Sequence, residues 1–219
     1  MKKNIILAIV MCISLVSPAF AQFVLKPDGF FHVEISDQNY VVHNFEGQSK
    51  EDLFSKSIAY LEKFKDETLT QNNPEKRGIT RNDPQLGFIK FYGRLKPFAS
   101  TKLTYYADGR KHRTELWLNY YMTIHFKDGK IRFDSPDFNT DVEIKGNIFW
   151  AGSSIGVYVY IKGERSLYDC KYVIFNEVEK LKLPEIKQHI ENYFNKLVAD
   201  FIIAMNQVHE EVPKIDDNW

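Results

Sequence analysis

One stretch of the chain matches the G-x-S-x-G pattern of serine hydrolases, Gly152-Ser153-Ser154-Ile155-Gly156. Asp169 and His189 follow it in the order in which such enzymes arrange their acid and their base. That chemistry needs the serine on a sharp turn from a strand into a helix, so that its hydroxyl is exposed. Here alternating valine and tyrosine residues at 157–160 predict a strand after Ser154. A hydrolase that uses Ser154 is therefore a secondary hypothesis.

Metal chemistry is weakly supported by the ligand-type residues of the chain. Asp137, Asn139 and Asp141 have the alternate spacing of a calcium loop. Val142 stands where such a loop needs glycine, and Ile148 stands where it needs glutamate. The six histidines form no H-x-x-x-H pair and the chain contains no C-x-x-C, so a zinc site would have to be assembled from distant residues. We predict no metal and no cofactor.

Aromatic residues make up 15% of the chain, and four of them predict a binding surface. Trp117 and Tyr121 alternate onto the more polar side of one predicted strand, and Tyr158 and Tyr160 do the same on another. If helices cover the opposite side of the sheet, these four rings lie together on an exposed face. Such a face suits sugar rings, a peptide or a partner protein. The alternative is that the polar segment 66–85 or the C-terminal tail covers the rings.

The first 21 residues have the pattern of a secretory signal peptide. Lys2 and Lys3 precede an apolar run over Ile5–Val16, and Ala19-Phe20-Ala21 provides small residues at the spacing that signal peptidase requires. We expect cleavage before Gln22 and export to the periplasm or the cell exterior. The apolar run is shorter than the roughly 20 residues that a membrane span needs, so we expect no transmembrane segment after cleavage.

Composition favours one globular domain over residues 22–219, because 198 of the 219 residues remain after cleavage. Lys and Arg number 29, and so do Asp and Glu, and the two signs are interspersed. Nucleic-acid binding generally needs clustered cations, so we predict no nucleic-acid partner. Cys170 is the single cysteine left in the mature chain, which excludes an intramolecular disulfide.

Two helices are predicted from 3–4-residue apolar spacing. A short one runs over about Lys50–Lys65, with Ser49 as its N-cap and Asp52 three residues later. A long one begins at Pro184 and ends near His209. Residues 66–85, rich in asparagine and proline, are predicted to be a polar loop.

Alternating patterns predict the strands, and Asp128-Gly129 predicts a hairpin turn between two of them. The predicted strands are 30–42, 87–95, 103–107, 113–127, 130–133, 142–150, 155–162 and 170–175. The order of elements predicts an α+β fold, in which a single curved antiparallel sheet carries the short N-terminal helix and the long C-terminal helix on one face.

Three segments, about residues 31–140 in all, resemble a family of exported bacterial proteins. They are Phe45–Phe54 around the capped helix, Gly87–Gly93 in a glycine-ended strand, and Tyr121–Phe133 with its Lys-Asp-Gly hairpin. The family has no known function and is described as having a fold like the TATA-box-binding protein (TBP-like, β-α-β(n)-α). The resemblance implies that fold and no catalytic residues. The DNA binding of the namesake does not follow, because function lies in sites and not in folds.

The leading hypothesis is a non-enzymatic exported domain that binds a partner through Trp117, Tyr121, Tyr158 and Tyr160. The partner would be a protein, a glycan or a small hydrophobic ligand. An alternative is a carrier of hydrophobic ligands, with a cavity between the sheet and the C-terminal helix.

Overall fold

Strands and two helices make up the part of the chain that the computed structural model describes, which is residues 22–34, 36–64, 75–95, 101–104, 111–114, 116–138, 144–150, 153–164 and 171–207. The predicted signal peptide and Cys170 lie outside these residues. The elements, in chain order, are β1 (Phe23–Leu25), β2 (Phe31–Val33), β3 (Tyr40–Asn44), α1 (Lys50–Glu62), β4 (Glu75–Asp83), β5 (Phe88–Leu95), β6 (Thr101–Thr104), β7 (Lys111–Thr114), β8 (Leu116–Lys127), β9 (Lys130–Asp134), β10 (Ile144–Trp150), β11 (Ser153–Gly163), β12 (Lys171–Asn176) and α2 (Pro184–Asn206).

The main sheet has eight strands and forks at β8. Its longest path is β12-β11-β10-β8-β5-β4, and a second branch runs from β8 to β9 and then to β3. β5 pairs with residues 118–125 along one edge of β8. The other edge is shared, because β9 pairs with residues 124–127 and β10 pairs with residues 116–117. Between them, the backbone of Asp137 bridges to Tyr121.

The α+β class predicted from the sequence is confirmed, with a large antiparallel sheet, a short helix and a long C-terminal helix. Two details differ from the predicted single antiparallel sheet. β11 and β12 pair in parallel, and β1–β2 and β6–β7 form separate two-stranded sheets. Alternation has the same period of two in either strand direction, so it reveals a strand without revealing its orientation.

The prediction of a polar loop over residues 66–85 is wrong for its second half. Residues 75–83 form β4, an edge strand that pairs with β5 and has a bulge between Ile79 and Arg81. An edge strand tolerates charged residues because one of its edges is not paired within the sheet. The strand was therefore not predicted, because its polar residues lack the apolar alternation that indicates a strand. Residues 65–74 lie outside the described part of the chain.

Helix α1 begins where the sequence predicts, and the sheet helps to cap it. The Ser49 hydroxyl accepts a hydrogen bond from the Asp52 amide (3.1 Å). The Asp128 carboxylate, in the turn between β8 and β9, accepts another from the Lys50 amide (2.9 Å). Carboxylates and hydroxyls at a helix start satisfy N–H groups that have no partner within the helix. The capped helix and the Lys-Asp-Gly hairpin therefore hold each other in place.

Both helices pack on one face of the sheet, here called the inner face. The Phe54 ring of α1 lies 5.4 Å from that of Phe126, and the Phe201 ring of α2 lies 5.2 Å from that of Phe133. The buried positions of α2 repeat every three or four residues, as predicted: Ile186, Ile190, Phe194, Leu197, Val198, Phe201, Ile202 and Met205. Neither described helix is long and apolar enough to span a lipid bilayer.

Side chains of α2 also hold the first strand. Asn195 accepts a hydrogen bond from the Phe23 amide (2.8 Å) and donates one to the Phe23 carbonyl (3.1 Å). Glu191 accepts from the Leu25 amide (2.8 Å). The two apolar side chains of β1 that face the core, Phe23 and Leu25, are buried. The N-terminal strand is therefore anchored to the C-terminal helix by hydrogen bonds from helix side chains to the strand backbone and by packing.

Candidate functional site

The face of the sheet opposite the helices, here called the outer face, carries half-buried and exposed side chains. In β8 the even-numbered residues from Leu118 to Phe126 are buried against the helices, whereas Asn119, Tyr121, Thr123 and His125 are not. In β5 Ile89 and Phe91 are buried, and the residues between and beside them are half-buried. The period of two in both strands therefore separates an apolar inner layer from a mixed outer layer.

Two tyrosines form the centre of the outer face. The Tyr92 hydroxyl donates a hydrogen bond to the Asn119 side-chain oxygen (2.6 Å), and the rings of Tyr92 and Tyr121 lie 5.5 Å apart. Burial raises the pKa of Tyr92, the charge of Arg94 opposes this, and Tyr121 adds to it. The phenol therefore stays protonated and remains a donor. The Lys90 ammonium lies 5.1 Å from the centre of the Tyr121 ring, within range of a cation–π contact.

A second group of charged and aromatic side chains joins β3, β9 and β8. The Asp134 carboxylate contacts the Arg132 guanidinium and the His125 imidazole, each at 2.9 Å. The Arg132 guanidinium lies 5.1 Å above the ring of Tyr40. The Phe88 ring lies 6.2 Å from the His125 ring and continues the layer towards β5. Cations and rings therefore alternate across neighbouring strands.

Basic side chains outnumber acidic ones on this part of the outer face. Strand register assigns each described side chain of β3, β4, β5, β8 and β9 to one face of the sheet. The outer face receives six permanent cations and two carboxylates, Asp83 and Asp134. Asp137, which bridges to Tyr121, adds a third carboxylate. The six cations are Arg81, Lys90, Arg94, Lys127, Lys130 and Arg132. The whole chain has no net charge, so charge is distributed unevenly over its surface.

The register brings the four predicted binding residues to one side of the sheet. Trp117 pairs with Lys145, and Lys145 pairs with Tyr158, so these positions share the side of Tyr121. Tyr160 follows two residues after Tyr158 in the same strand. It is half-buried and lines a cavity of about 340 Å³ together with Asp137. The side chains of Trp117 and Tyr158 lie outside the described part of the structure, so their role in binding stays a prediction.

Sequence reasoning missed Tyr92, Lys90, Arg132, His125 and Tyr40 as members of this surface. The signal for two of them was present, because Lys90 and Tyr92 alternate with the buried Ile89 and Phe91. His125 and Arg132 lie on the two strands that the predicted Asp128-Gly129 hairpin joins, so the sequence held a local signal for them as well. Tyr40 comes from β3, and no local pattern indicates that β3 lies beside β9.

The hydrolase motif lies in a different structural context from the one its chemistry needs. Ser154 belongs to β11, and its backbone pairs with Phe149 in the β10–β11 hairpin. A nucleophilic serine would stand on a turn from a strand into a helix. His189 lies on α2, where burial lowers its pKa. Asp169 lies outside the described residues.

Of the predicted calcium-loop residues, Asp137 lies in the described part of the chain. In the described part of the chain no three His, Cys, Asp or Glu side chains are placed to hold a metal ion together. The backbone of Asp137 is occupied by two hydrogen bonds with Tyr121, at 2.7 and 2.8 Å. Asn139 and Asp141 lie outside the described residues.

Aromatic rings occupy the space between α2 and the inner face. The Phe194 ring lies 4.8 Å from that of Tyr120 and 5.3 Å from that of Phe31. Tyr120, Phe31 and Phe194 are fully buried. A cavity of about 600 Å³ lies elsewhere, beside β12 and the start of α2, and is lined by Tyr172, Val178 and Leu183 among others.

Comparison with known proteins finds two solved structures of similar chains. One is a DUF4468 family protein from Bacteroides ovatus, with 15% identity over 77% of this chain and 85% of that chain, at a TM-score of 0.45. The other is a TBP-like protein from Parabacteroides distasonis, with 13% identity over 77% of this chain and 92% of that chain, also at 0.45. No family model and no curated protein matches the chain.

One of these names is that of a domain family of unknown function and the other is TBP-like, and both terms belong to the resemblance noted from the sequence. At such identities and TM-scores they carry no argument about function. The α+β class of this chain is defined by its own forked sheet and its two helices.

Proposed function

We propose that this protein is a non-enzymatic binding domain that contacts its partner through the outer face of the sheet. The observation that carries the proposal is the layer of tyrosine rings and cations on the side opposite both helices, centred on Tyr92 and Tyr121. The inner face is already used for packing against α1 and α2. Both described helices lie on the side of the sheet opposite the outer face.

The chemistry of the layer supports recognition of a partner. Tyrosine offers a wide apolar ring and a polar hydroxyl, and it is enriched where proteins contact other molecules. Tyr92, Asn119 and Thr123 supply hydrogen-bonding groups beside the rings. Such a surface can combine ring contact with hydrogen bonding. Ser154 lies inside a strand and not on the strand-to-helix turn that a nucleophilic serine needs, which favours binding over hydrolysis.

The proposal includes export of the domain. Its support is the sequence pattern of residues 1–21, together with the position of the first strand. β1 begins at Phe23, one residue after the expected new N-terminus at Gln22, and its Phe23 and Leu25 side chains are buried in the core. N-terminal sequencing of protein recovered outside the cytoplasm should begin at Gln22. Recovery of the intact chain from the cytoplasm would contradict this part of the proposal.

Binding is tested with the labelled mature chain on a glycan array and a peptide array. The Tyr92→Ala/Tyr121→Ala variant should lose the signal of the unchanged protein. The matched control is Val178→Ala/Ile203→Ala, which removes two exposed apolar side chains from the turn after β12 and from α2. It should keep the signal. Absence of any signal on both arrays, or a signal that survives loss of both tyrosines, would overturn the proposal.

A further inference from the structure

A cavity of about 370 Å³ opens at one end of the outer face, between β3, β9, β8 and the turn before β5. It is lined by Tyr40, Val42, Leu86, Lys127, Lys130 and Arg132, with His125 beside them. Ligand pockets usually measure about 300–1,000 Å³, so this one is large enough for one or two sugar rings. It joins the tyrosine layer described above, because His125 and Tyr121 lie on the same side of β8.

The rim of this cavity is cationic. Lys127, Lys130 and Arg132 contribute three permanent positive charges, and no carboxylate belongs to its lining. The nearest described carboxylate on β9, Asp134, is engaged by Arg132 and His125. Lys127 and Lys130 flank the hairpin turn and are exposed. Their ammonium groups are therefore available to an anionic ligand.

Part of the cavity lining is apolar. Leu86 is 70% exposed and Val42 is 46% exposed, although both are large apolar residues. The Tyr40 ring lies beneath the Arg132 guanidinium. An exposed apolar surface ringed by polar groups is typical of an interaction site. A fitting ligand has a flat, partly apolar body with a negative charge at its edge.

We infer that the ligand of the outer face is an acidic polysaccharide built of uronic acids, and this inference rests on the proposed function. A pyranose ring has a flat face of C–H groups that packs on aromatic and aliphatic side chains, and a uronic acid adds a carboxylate at the ring edge. The cavity would hold one such unit, with its carboxylate at Lys127, Lys130 and Arg132. Further units would pass along the layer in which Lys90 lies over Tyr121.

The alternation of rings and cations favours this polymer over other polyanions. Arg132 lies over Tyr40, Arg81 over Phe88 and Lys90 over Tyr121. A polyuronate repeats a flat ring and one carboxylate in every unit, so it matches both components. Nucleic-acid backbones are recognised mainly by dense cation tracks. Here carboxylates interrupt the cations, and the whole chain is neutral.

The test measures binding of oligogalacturonate and of its fully methyl-esterified, neutral form by isothermal titration calorimetry. We expect the acidic form to bind at least ten-fold more tightly, and its affinity to fall as salt rises. Lys127→Gln/Lys130→Gln should weaken acidic binding about ten-fold. The control Lys63→Gln/Lys180→Gln removes the same charge from two exposed lysines outside the outer face and should bind as the unchanged protein does.

Several results would overturn the inference. They are equal affinity for the esterified form, no loss in Lys127→Gln/Lys130→Gln, tighter binding of duplex DNA or poly-glutamate, or no binding of oligogalacturonate or alginate. The array experiment separates the two proposals. A neutral glycan or peptide bound through Tyr92 and Tyr121 would leave the binding function standing while the acidic-ligand inference fails. If neither the arrays nor the calorimetry detected binding, both the proposed binding function and the acidic-ligand inference would be refuted.

Discussion

Position 93 needs glycine because the Tyr120 side chain occupies the space that a Cβ atom would take, and not because of its backbone angles. It pairs with Tyr120 across β5 and β8, and a Cβ atom at position 93 would lie 2.0 Å from the Tyr120 ring. That ring is fully buried and is held by the rings of Phe194 and Tyr193 at 4.8 and 5.7 Å. These ring contacts restrict movement of the Tyr120 side chain.

Gly93→Ala is therefore expected to lower the free energy of unfolding by about 1–3 kcal/mol, the usual cost of overpacking a core. Gly78→Ala is the matched control, because Gly78 lies in the neighbouring strand β4 and a Cβ there would meet no atom within 4 Å. Urea unfolding of both variants measures the difference. Equal stability of the two would show that Tyr120 yields to the added methyl group.

His32, in the β1–β2 hairpin, is expected to make the stability of the folded protein depend on pH. Burial opposes protonation of its ring, but hydrogen bonds to the Asp37 carbonyl (3.0 Å) and the Asp28 carboxylate (2.7 Å), with the charges of both aspartates, outweigh it and raise the pKa. The folded state therefore binds this proton more tightly than the unfolded state does. The resulting stabilisation is complete below the ordinary pKa of 6.5 and is lost as pH rises through the raised value.

We expect the stability difference between the unchanged protein and His32→Gln to be larger at pH 5.5 than at pH 8.5. Burial lowers the pKa of His43 and of His189, which act in the opposite direction. Both remain in the variant, so their contributions cancel in the difference. Thermal unfolding across this pH range measures it, and a difference that does not change with pH would refute the role of His32.

Among the elements, those with a strong local pattern were predictable and those that depend on remote pairing were not. The sequence predicts β5, β8, β9 and both helices to within a few residues, because one side of each is buried and sets a clear period. The predicted strand over residues 30–42 is two strands instead. A turn that contains Asp37 at φ 56° separates them. β4 was missed because its charged side chains lie at an edge.

Asn195 is the element-scale contact that tests how β1 is held. Its amide group accepts from the Phe23 N–H and donates to the Phe23 carbonyl, as a neighbouring strand would. Asn195→Asp keeps the size but replaces the donor with an oxygen that faces the carbonyl. We expect a loss of stability of about 1 kcal/mol, the lower end of the cost of leaving a buried polar group unsatisfied, because Asn195 is half-buried.

The control for this prediction is Asn39→Asp, which makes the same change at an exposed residue between β2 and β3. Chemical unfolding at pH 8, where both carboxylates are ionised, compares the two variants. If Asn195→Asp is as stable as Asn39→Asp, the side chain of Asn195 contributes little to the anchoring of β1.

At the scale of the molecule, the candidate site illustrates the limit of prediction from sequence. Alternation predicted an aromatic outer face and placed Tyr121 and Tyr160 on it, and the register agrees with the shared side. The cationic rim was not predicted, because the sequence intersperses charges of both signs evenly. The β8–β9 hairpin brings Lys127, Lys130 and Arg132 to one side of the sheet. The remote pairing of β3 with β9 adds Tyr40 and Val42 and so completes the cavity beside these cations.

The first strand and the last helix of the described chain are in direct contact. Phe23 and Asn195 are 172 residues apart in sequence yet share two hydrogen bonds, and β1 also pairs with β2. An amide that is released only when such long-range contacts break exchanges with the free energy of global unfolding. The amides of Phe23 and Leu25 should therefore exchange as slowly as those of Met122 and Ile124 in the middle of the sheet.

Hydrogen exchange followed by NMR measures this protection residue by residue, and the Gln85 amide in the exposed turn before β5 serves as a fast-exchanging reference. In Asn195→Asp, protection at Phe23 and Leu25 should fall below that at Met122, because a missing anchor lets β1 open before the sheet does. Exchange at Phe23 that is orders of magnitude faster than at Met122 in the unchanged protein would show that β1 opens by itself. In that case α2 would pack against the sheet without stabilising β1.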